Sequence, residues 1–401
     1  MQDIFIGRQP IFDRDLRVYA YELLFRNSDT NAAGFTDGDQ ATSRVISNSF
    51  IEIGLDKIVG RHRAFLNLTR GFLINDWPLP FPKDKVVLEI LEDIEPDEEV
   101  IRAVGSLRAQ GFSLALDDFI YHASLKPLIE HAEIIKIDIK PLSEQALIEH
   151  VRELRNYPVR LLAEKIETQD EFRFCRELGF EYFQGYFLSR PKVISAREIP
   201  PNGLATVQLL GRLQDPQASA EELERLISQD VGLSYKLLRY INSAFFSLPK
   251  AVESIRQAVV YLGNRAIKTW ATLLVFSGIE DKPHELMTTA MLRAKMCELL
   301  AEASGEARSD AFFTVGLFSA LEPLLEAPLP KVLDSLPLSD EIRNALLAFE
   351  GPYGEALRCT LAYETAEWER VHFNDLSGSQ ITEIYMQAAQ WADEATQMLA
   401  N

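Results

Sequence analysis

The chain has 401 residues, 47% of them apolar and 25% charged, which is enough for two ordinary domains with cores of their own. Its formal charge of −19 argues against long nucleic acid as a ligand, because no basic stripe is present to displace counterions from phosphates. No apolar run approaches the roughly 18 residues of a membrane span and no signal-type block follows Met1, so a cytoplasmic protein away from the membrane is expected. Cys175, Cys297 and Cys359 lie far apart and in no C-x-x-C spacing, which argues against a disulfide framework and a thiolate zinc site and favours ordinary core or surface residues.

In chain order, the first half shows short strand-like runs: Ile4 to Phe12, Val18 to Phe25, Ala64 to Leu68, Val86 to Leu91, Ser113 to Asp117, Ile134 to Ile139, Val159 to Ile166 and Tyr182 to Leu188. Amphipathic stretches such as Leu142 to Leu154 and Glu171 to Leu178 separate them, long enough for the crossovers of a parallel sheet. This rhythm predicts an α/β fold, a closed TIM-like (β/α) barrel. From Arg190-Pro191 to Pro200-Pro201-Asn202-Gly203 prolines and glycine break both periods, which sets domains of 1–196 and 197–401. Beyond the break the strands vanish. Ser219 and Glu222 form a capping-box pattern before Leu223, Leu226 and Ile227, and Leu233, Leu237 and Ile241 recur on one helical face, so an all-α domain is expected.

The strands of the first half end on polar residues, where strands buried on both faces would be apolar throughout. These are Glu22, Asn67, Glu89 with Glu92, Asp117-Asp118, and Glu164. In a (β/α) barrel the C-terminal strand ends converge on one mouth, so these side chains would meet there. Several carboxylates at one point need a counter-charge. Oxygen donors without histidine or thiolate select Mg2+ or Mn2+ over zinc, and a pair of such ions could clamp a phosphodiester. Each residue also has an ordinary alternative: strand-end acids cap helices, Lys136 can pair with a structural carboxylate, Arg26 can form a surface salt bridge, and Asn67 can serve a turn.

The motifs that carry these residues resemble the EAL family of cyclic di-GMP phosphodiesterases. Gln9-Pro10-Ile11 and Glu22-Leu23-Leu24 resemble its opening motifs, with leucine for the signature alanine. Asn67 resembles its strand asparagine, and Glu89-Ile90-Leu91-Glu92 its E-[IL]-T-E. Asp117-Asp118-Phe119 corresponds to D-D-F, Lys136-Ile137-Asp138 to K-I-D, Glu164-Lys165-Ile166-Glu167-Thr168 to E-G-V-E-T, and Gln184-Gly185 to Q-G. The resemblance covers roughly residues 3 to 191 in order. It implies that Glu22, Asn67, Glu89 and Asp117 hold one metal and that Asp117, Asp118 and Glu164 hold a second. It further implies that Lys136, Glu164 and Gln184 are catalytic, that Gln9, Arg26 and Gln184 contact the substrate cyclic di-GMP, and that the product is the linear dinucleotide pGpG. Glu92 and Glu167 are expected to support nearby loops.

Two departures are visible. The family's Gly-Thr-Gly loop after D-D-F is replaced by Ile120-Tyr121-His122-Ala123-Ser124-Leu125, which leaves the interval to Lys136 about two residues short, and Lys165 replaces a glycine. A lost glycine implies a lost positive-φ conformation, with a bulky cation beside Glu164. His122 is expected at the surface.

The second half resembles the HDOD domain, the non-hydrolytic relative of HD phosphohydrolases, in Leu213-Gln214-Asp215-Pro216, Leu237 to Ala244 and Ala258 to Gly263. Gly316-Leu317-Phe318-Ser319-Ala320 stands where an HD relative carries its metal dyad, so no hydrolysis is expected there. Asn242 and Ser243 are expected to make structural hydrogen bonds, and His284 and His372 to be surface residues. The expectation is a metal-dependent cyclic di-GMP phosphodiesterase with a helical regulatory or partner-binding domain, in an arrangement for which a homodimer is conceivable. A catalytically degenerate cyclic di-GMP receptor, or a pure interaction scaffold, is the alternative.

Overall fold

The computed structural model describes residues 4–27, 54–74, 81–122, 125–185, 201–215, 218–243, 246, 252–277, 284–325 and 327–400. The chain divides into two compact units: Met1–Arg190 with Ala362–Glu369 and Ser377–Met386, and Pro191–Leu361 with Arg370–Leu376 and Gln387–Asn401. Among the described residues no helix is long and apolar enough to cross a membrane.

In the first unit eight strands close a barrel in chain order. They are β1 (Ile4–Phe12), β2 (Val18–Asn27), β3 (Arg63–Leu68), β4 (Val86–Ile90), β5 (Ser113–Leu116), β6 (Ile134–Asp138), β7 (Arg160–Glu164) and β8 (Tyr182–Gln184). Helices α1 (Leu55–Val59), α2 (Arg70–Ile74), α3 (Glu98–Gln110), α4 (Lys126–Ile129), α5 (Glu144–Leu154) and α6 (Gln169–Glu177) lie between them in sequence. Strands β2 to β8 are parallel, whereas β1 is antiparallel to both β2 and β8. This corrects the expectation of a wholly parallel sheet. Only residues 13–17 join β1 to β2, too few for a crossover. Asp13 closes that hairpin by accepting from the N–H groups of Asp15 and Arg17, each at 2.9 Å.

Strand alternation sorts the apolar residues into two sets. One set, including Leu66, Leu88, Leu114, Ile135 and Ala163, packs with helical residues such as Val100, Val104, Val151 and Phe172 outside the sheet. The other takes one residue from each strand, Ile11, Ala20, Phe65, Val87, Ala115, Ile134, Leu162 and Tyr182, and fills the barrel as a single apolar layer. Below it Arg63 donates to Tyr19 Oη and Ser113 Oγ, and Arg160 donates to Tyr182 Oη, so a layer of hydrogen-bonded polar side chains closes that end of the barrel. The C-terminal pieces of this unit dock on β1: Tyr363 Oη donates to the carbonyl of Ile6 at 3.0 Å and accepts from its N–H at 3.3 Å. Tyr363 also stacks on Tyr385.

Every regular element among the described residues of the second unit is a helix. It is built from α7 (Pro201–Gln214), α8 (Ala220–Ser228), α9 (Val231–Ile241), α10 (Ile255–Ser277), α11 (His284–Ala303), α12 (Ser309–Phe318), α13 (Leu321–Leu325), α14 (Leu329–Asp334), α15 (Asp340–Ala348), part of α16 (Gly351–Glu364) and part of α17 (Gly378–Ala400). Ser219 and Glu222 form the expected capping box at the start of α8. Leu233, Leu237 and Ile241 are buried along α9. Asn242 ties the end of α9 to the following loop, donating to the Leu238 and Val252 carbonyls and accepting from the Val252 N–H. At Gly316 a Cβ would lie 2.4 Å from the Arg293 carbonyl oxygen, so this residue serves the close packing of α12 on α11. The side chain of His284 lies outside the described residues, and His372 is exposed. All three cysteines are buried and free.

A candidate metal centre at the strand ends

Two residues beyond each member of the apolar layer, the alternation of β2 to β8 returns to the barrel interior. Those positions are Glu22, Asn67, Glu89, Asp117, Lys136, Glu164 and Gln184. On β1, which runs the other way, the equivalent step leads back to Gln9, which pairs directly with Glu22 and so shares its face. The site is therefore one polar layer laid on one apolar layer. Asp117 stands one residue past β5 and keeps the ladder through its N–H, which donates to the Ile90 carbonyl at 3.0 Å.

Lys136 is the hub of this layer. Its Nζ lies 2.7 Å from Glu89 Oε1, 2.7 Å from Asp117 Oδ1, 3.0 Å from Glu164 Oε1 and 3.3 Å from Glu22 Oε2, with its side chain only 1% exposed. Glu22 also accepts from Gln184 Nε2 at 2.7 Å and from Asn67 Nδ2 at 3.3 Å. Each amide therefore turns its nitrogen to Glu22, and the oxygens Asn67 Oδ1 and Gln184 Oε1 are buried without a hydrogen-bond partner. Glu164 Oε2, Asp118 Oδ1 and both oxygens of Glu89 likewise receive no directed hydrogen bond, although Glu89 Oε1 touches the ammonium. A native interior rarely leaves so many acceptors unmade, at about 1–3 kcal/mol each.

Electrostatics point the same way. One buried ammonium faces Glu22, Glu89, Asp117 and Glu164, and the Asp118 carboxylate lies within 4.8 Å of Asp117 and Glu164 oxygens. Burial, and then the nearby Glu22, push the Glu89 carboxyl well above its usual range. Burial likewise raises Glu164 to about 8, against the lowering effect of Lys136. Lys136 stays cationic: burial opposes its charge, but the surrounding carboxylates hold its pKa well above the ordinary value. Without further cations the layer keeps protons on groups that ordinarily ionise. Every free donor is an oxygen, so the residues fit hard divalent cations. Glu22, Asn67, Glu89 and Asp117 could hold one, and Asp117, Asp118 and Glu164 could share a second.

The two sequence departures meet at this second group. Lys165 keeps a left-handed backbone (φ 56°), and Asp118 has φ 38°. The expected loss of the positive-φ turn is thus corrected: lysine occupies the conformation a glycine would, at a cost of about 1–2 kcal/mol. Its ammonium turns away from Glu164 to Asp138 Oδ2 at 2.6 Å and Asp118 Oδ2 at 3.3 Å. The adjoining Gly185 (φ 145°) is required, because a Cβ there would lie 2.1 Å from the Ile166 carbonyl oxygen. The altered loop after Asp118 has its own anchors. Phe119 N–H donates to the Lys136 carbonyl at 2.9 Å, and Tyr121 N–H donates to His150 Nε2 at 3.1 Å. Burial lowers the His150 pKa, which favours the neutral ring that can accept this bond. Ala123 and Ser124 lie outside the described residues, and His122 is exposed.

Glu22, Asn67, Glu89, Asp117, Asp118, Lys136, Glu164 and Gln184 are brought together, with Gln9 on the same face beside Glu22. Arg26 belongs to β2, but its side chain lies outside the described residues. Glu92 is exposed, and Glu167 donates its N–H to Glu171 within the capping box that starts α6. Sequence reasoning gave no role to Asp138 or His150. The signal for Asp138 was its place two residues after Lys136 on the same strand face, and for His150 there was none.

Comparison with known proteins agrees with this architecture. The EAL domain family model matches residues 79–191 and the HDOD domain model matches residues 199–327. The chain is 35% identical over 408 aligned positions to the cyclic di-GMP phosphodiesterase CdgJ of Vibrio cholerae, covering 100% of this chain and 94% of that protein. It is 34% identical to YuxH of Bacillus subtilis, covering 97% of this chain and 98% of that one. Among solved structures, the Bacillus subtilis YkuI protein, with an EAL domain and in complex with c-di-GMP and calcium, is 22% identical. It covers 65% of this chain and 72% of its own, with a TM-score of 0.39. The full-length match at this identity settles the kinship: the chain belongs to the family of proteins that join an EAL domain to an HDOD domain.

Proposed function

We propose that the chain is a metal-dependent cyclic di-GMP phosphodiesterase that opens the cyclic dinucleotide to linear pGpG, with the helical unit as its regulatory or partner-binding part. The observation that carries this reading is the layer of unpartnered buried oxygens around Lys136, in a chain aligned end to end with a protein of that name. Glu22, Asn67, Glu89 and Asp117 would hold one ion, Mg2+ or Mn2+, and Asp117, Asp118 and Glu164 the other. Bound there, the pair would supply the counter-charge the carboxylates lack and the Lewis acidity that activates water and polarises a phosphodiester.

The chain's own residues do the rest. Gln184 and Asn67 fix the rotamer of Glu22 through their amide nitrogens, and this leaves both buried amide oxygens free to accept. Gln184 Oε1 can accept a hydrogen bond from the attacking water. Glu164, whose carboxylate lies beside Asp117 and Asp118 at the same rim, would take the proton of that water once the ions hold it ionised. Lys136, held by four carboxylates, keeps the layer assembled and sets a positive charge beneath the position of the phosphoryl oxygens. The reaction adds water across one of the two ester bonds: the water oxygen joins phosphorus and the departing ribose oxygen gains a proton. Gln9, on the Glu22 face, and Arg26, further along β2, would contact the nucleotide.

A cytoplasmic location belongs to the same proposal and is supported by three buried thiols without a disulfide. Exposed Tyr235, Val260 and Tyr261 in the helical unit support a protein partner there. The test is chromatography of cyclic di-GMP incubated with the full chain and Mg2+ or Mn2+. The linear dinucleotide should form and should cease to form with a chelator. E22A should lower the rate by at least about 100-fold, the scale of losing one well-placed electrostatic contact. Binding of cyclic di-GMP without turnover would replace the enzyme by a receptor, and an unchanged rate in E22A would remove the site.

A further inference from the structure

Lys165 and the loop after Asp118 both depart from the EAL motifs quoted above, and the fold sets them against each other. Asp118 opens that loop, and its carboxylate is divided in function. Oδ2 lies 3.3 Å from Lys165 Nζ, whereas Oδ1 is buried and has no hydrogen-bond partner. On its other side the same ammonium lies 2.6 Å from Asp138 Oδ2, at the end of β6. Asp138 is the register partner of Glu164 across β6 and β7, so the clasp ties together the ends of β6 and β7 and the start of the loop. Reaching it requires the left-handed backbone at Lys165, a conformation that a β-carbon disfavours. A bare glycine would adopt this turn without strain but could hold nothing.

We infer that Lys165 is a positioning residue for the second cation: with Asp138 it pins Asp118 Oδ2, so that Oδ1 alone is presented to the ion shared with Asp117 and Glu164. This rests on the two-ion reading of the site given above. Charge balance favours a clasp over a competitor. Asp138 neutralises the lysine at the shorter distance, so the lysine–aspartate pair adds no net charge to the layer, and the need for two divalent ions stands. The lysine does what the missing loop glycines cannot, because it holds the aspartate from the side through a charge-assisted hydrogen bond.

The test is manganese binding to the full chain in the absence of nucleotide, followed by electron paramagnetic resonance and calorimetry on the wild type and on K165A, K165R and D138N. The wild type should bind two Mn2+ ions per chain. K165A and D138N should keep the ion at Glu22, Asn67, Glu89 and Asp117 while loosening the second by about 10- to 100-fold. K165R should recover most of the loss, since it restores the cation. Circular dichroism of each variant separates a loosened site from a lost fold, and D138N leaves the strained backbone at Lys165 untouched. A second ion bound equally well in K165A would overturn the inference, and so would one bound more tightly, which would make the ammonium a competitor. A wild type that binds one ion sinks the inference while leaving the first site standing. A wild type that binds none removes the metal reading itself.

Discussion

At Lys136 a single ammonium organises four carboxylates inside a protein, and its removal should be costly. K136M leaves those acids without an internal counter-charge, and breaking a buried ion pair from one side costs about 3–5 kcal/mol. Urea unfolding in chelator should report that loss, with partial recovery on adding Mg2+. Unchanged stability would mean that the carboxylates are neutral and the hub idle. Glu164 sets the pH response. Its pKa is raised by burial from 4.5 to about 8, so between these values the folded chain holds a proton that the unfolded chain has lost. Stability from this group is therefore full below about 4.5 and declines as pH rises through about 8. The melting temperature of the metal-free protein should fall over that window, and a divalent ion, which displaces the proton, should bind more tightly and reverse the fall. A melting temperature that rises from pH 5 to 8 in chelator would contradict this. Glu164 was legible because polar side chains at strand ends violate the apolar rule for buried strands, whereas Lys136 was picked out only by the resemblance of Lys136-Ile137-Asp138 to K-I-D. The conformation of Lys165 was not legible, since the tertiary clasp to Asp138 outweighs a local backbone preference that sequence alone displays.

Among the elements, β1 shows what spacing can and cannot convey. Its run of residues was legible as a strand, yet its direction followed from the hairpin at residues 13–17, whose brevity forbids a parallel neighbour. Strand alternation then accounts for the site: one apolar layer, then one polar layer two residues on, repeated around the barrel. The capping box at Ser219 was legible from its four-residue pattern, and the equivalent box at Thr168 and Glu171 could have been read in the same way. The docking of Tyr363 on the Ile6 backbone could not, because it joins residues 357 positions apart. Y363F removes a hydroxyl that donates to the Ile6 carbonyl and accepts from the Ile6 N–H, and it should cost about 1–3 kcal/mol, measured by chemical unfolding of the full chain. A loss below about 0.5 kcal/mol would show that water replaces the hydroxyl at no cost, as at an open surface.

For the molecule as a whole, the division into a barrel and a helical part was visible in the change of periodicity near residue 200, but the return of residues 362–369 and 377–386 to the barrel unit was not. A fragment ending at residue 196 lacks those pieces and leaves the Ile6 backbone without its Tyr363 partner. Such a fragment should unfold at lower temperature than the barrel within the full chain. Equal thermal stability would reduce the C-terminal pieces to a passive cover. The helical unit carries packing where HD relatives carry chemistry, as Gly316 against Arg293 illustrates, so turnover should reside wholly in the first unit. The most direct measurement is an anomalous difference map from crystals of the full chain grown with Mn2+. Two peaks should stand above Lys136, one touching Glu22, Asn67, Glu89 and Asp117 and the other Asp117, Asp118 and Glu164. A map with no peak there, and the ammonium still enclosed by its carboxylates, would contradict the account.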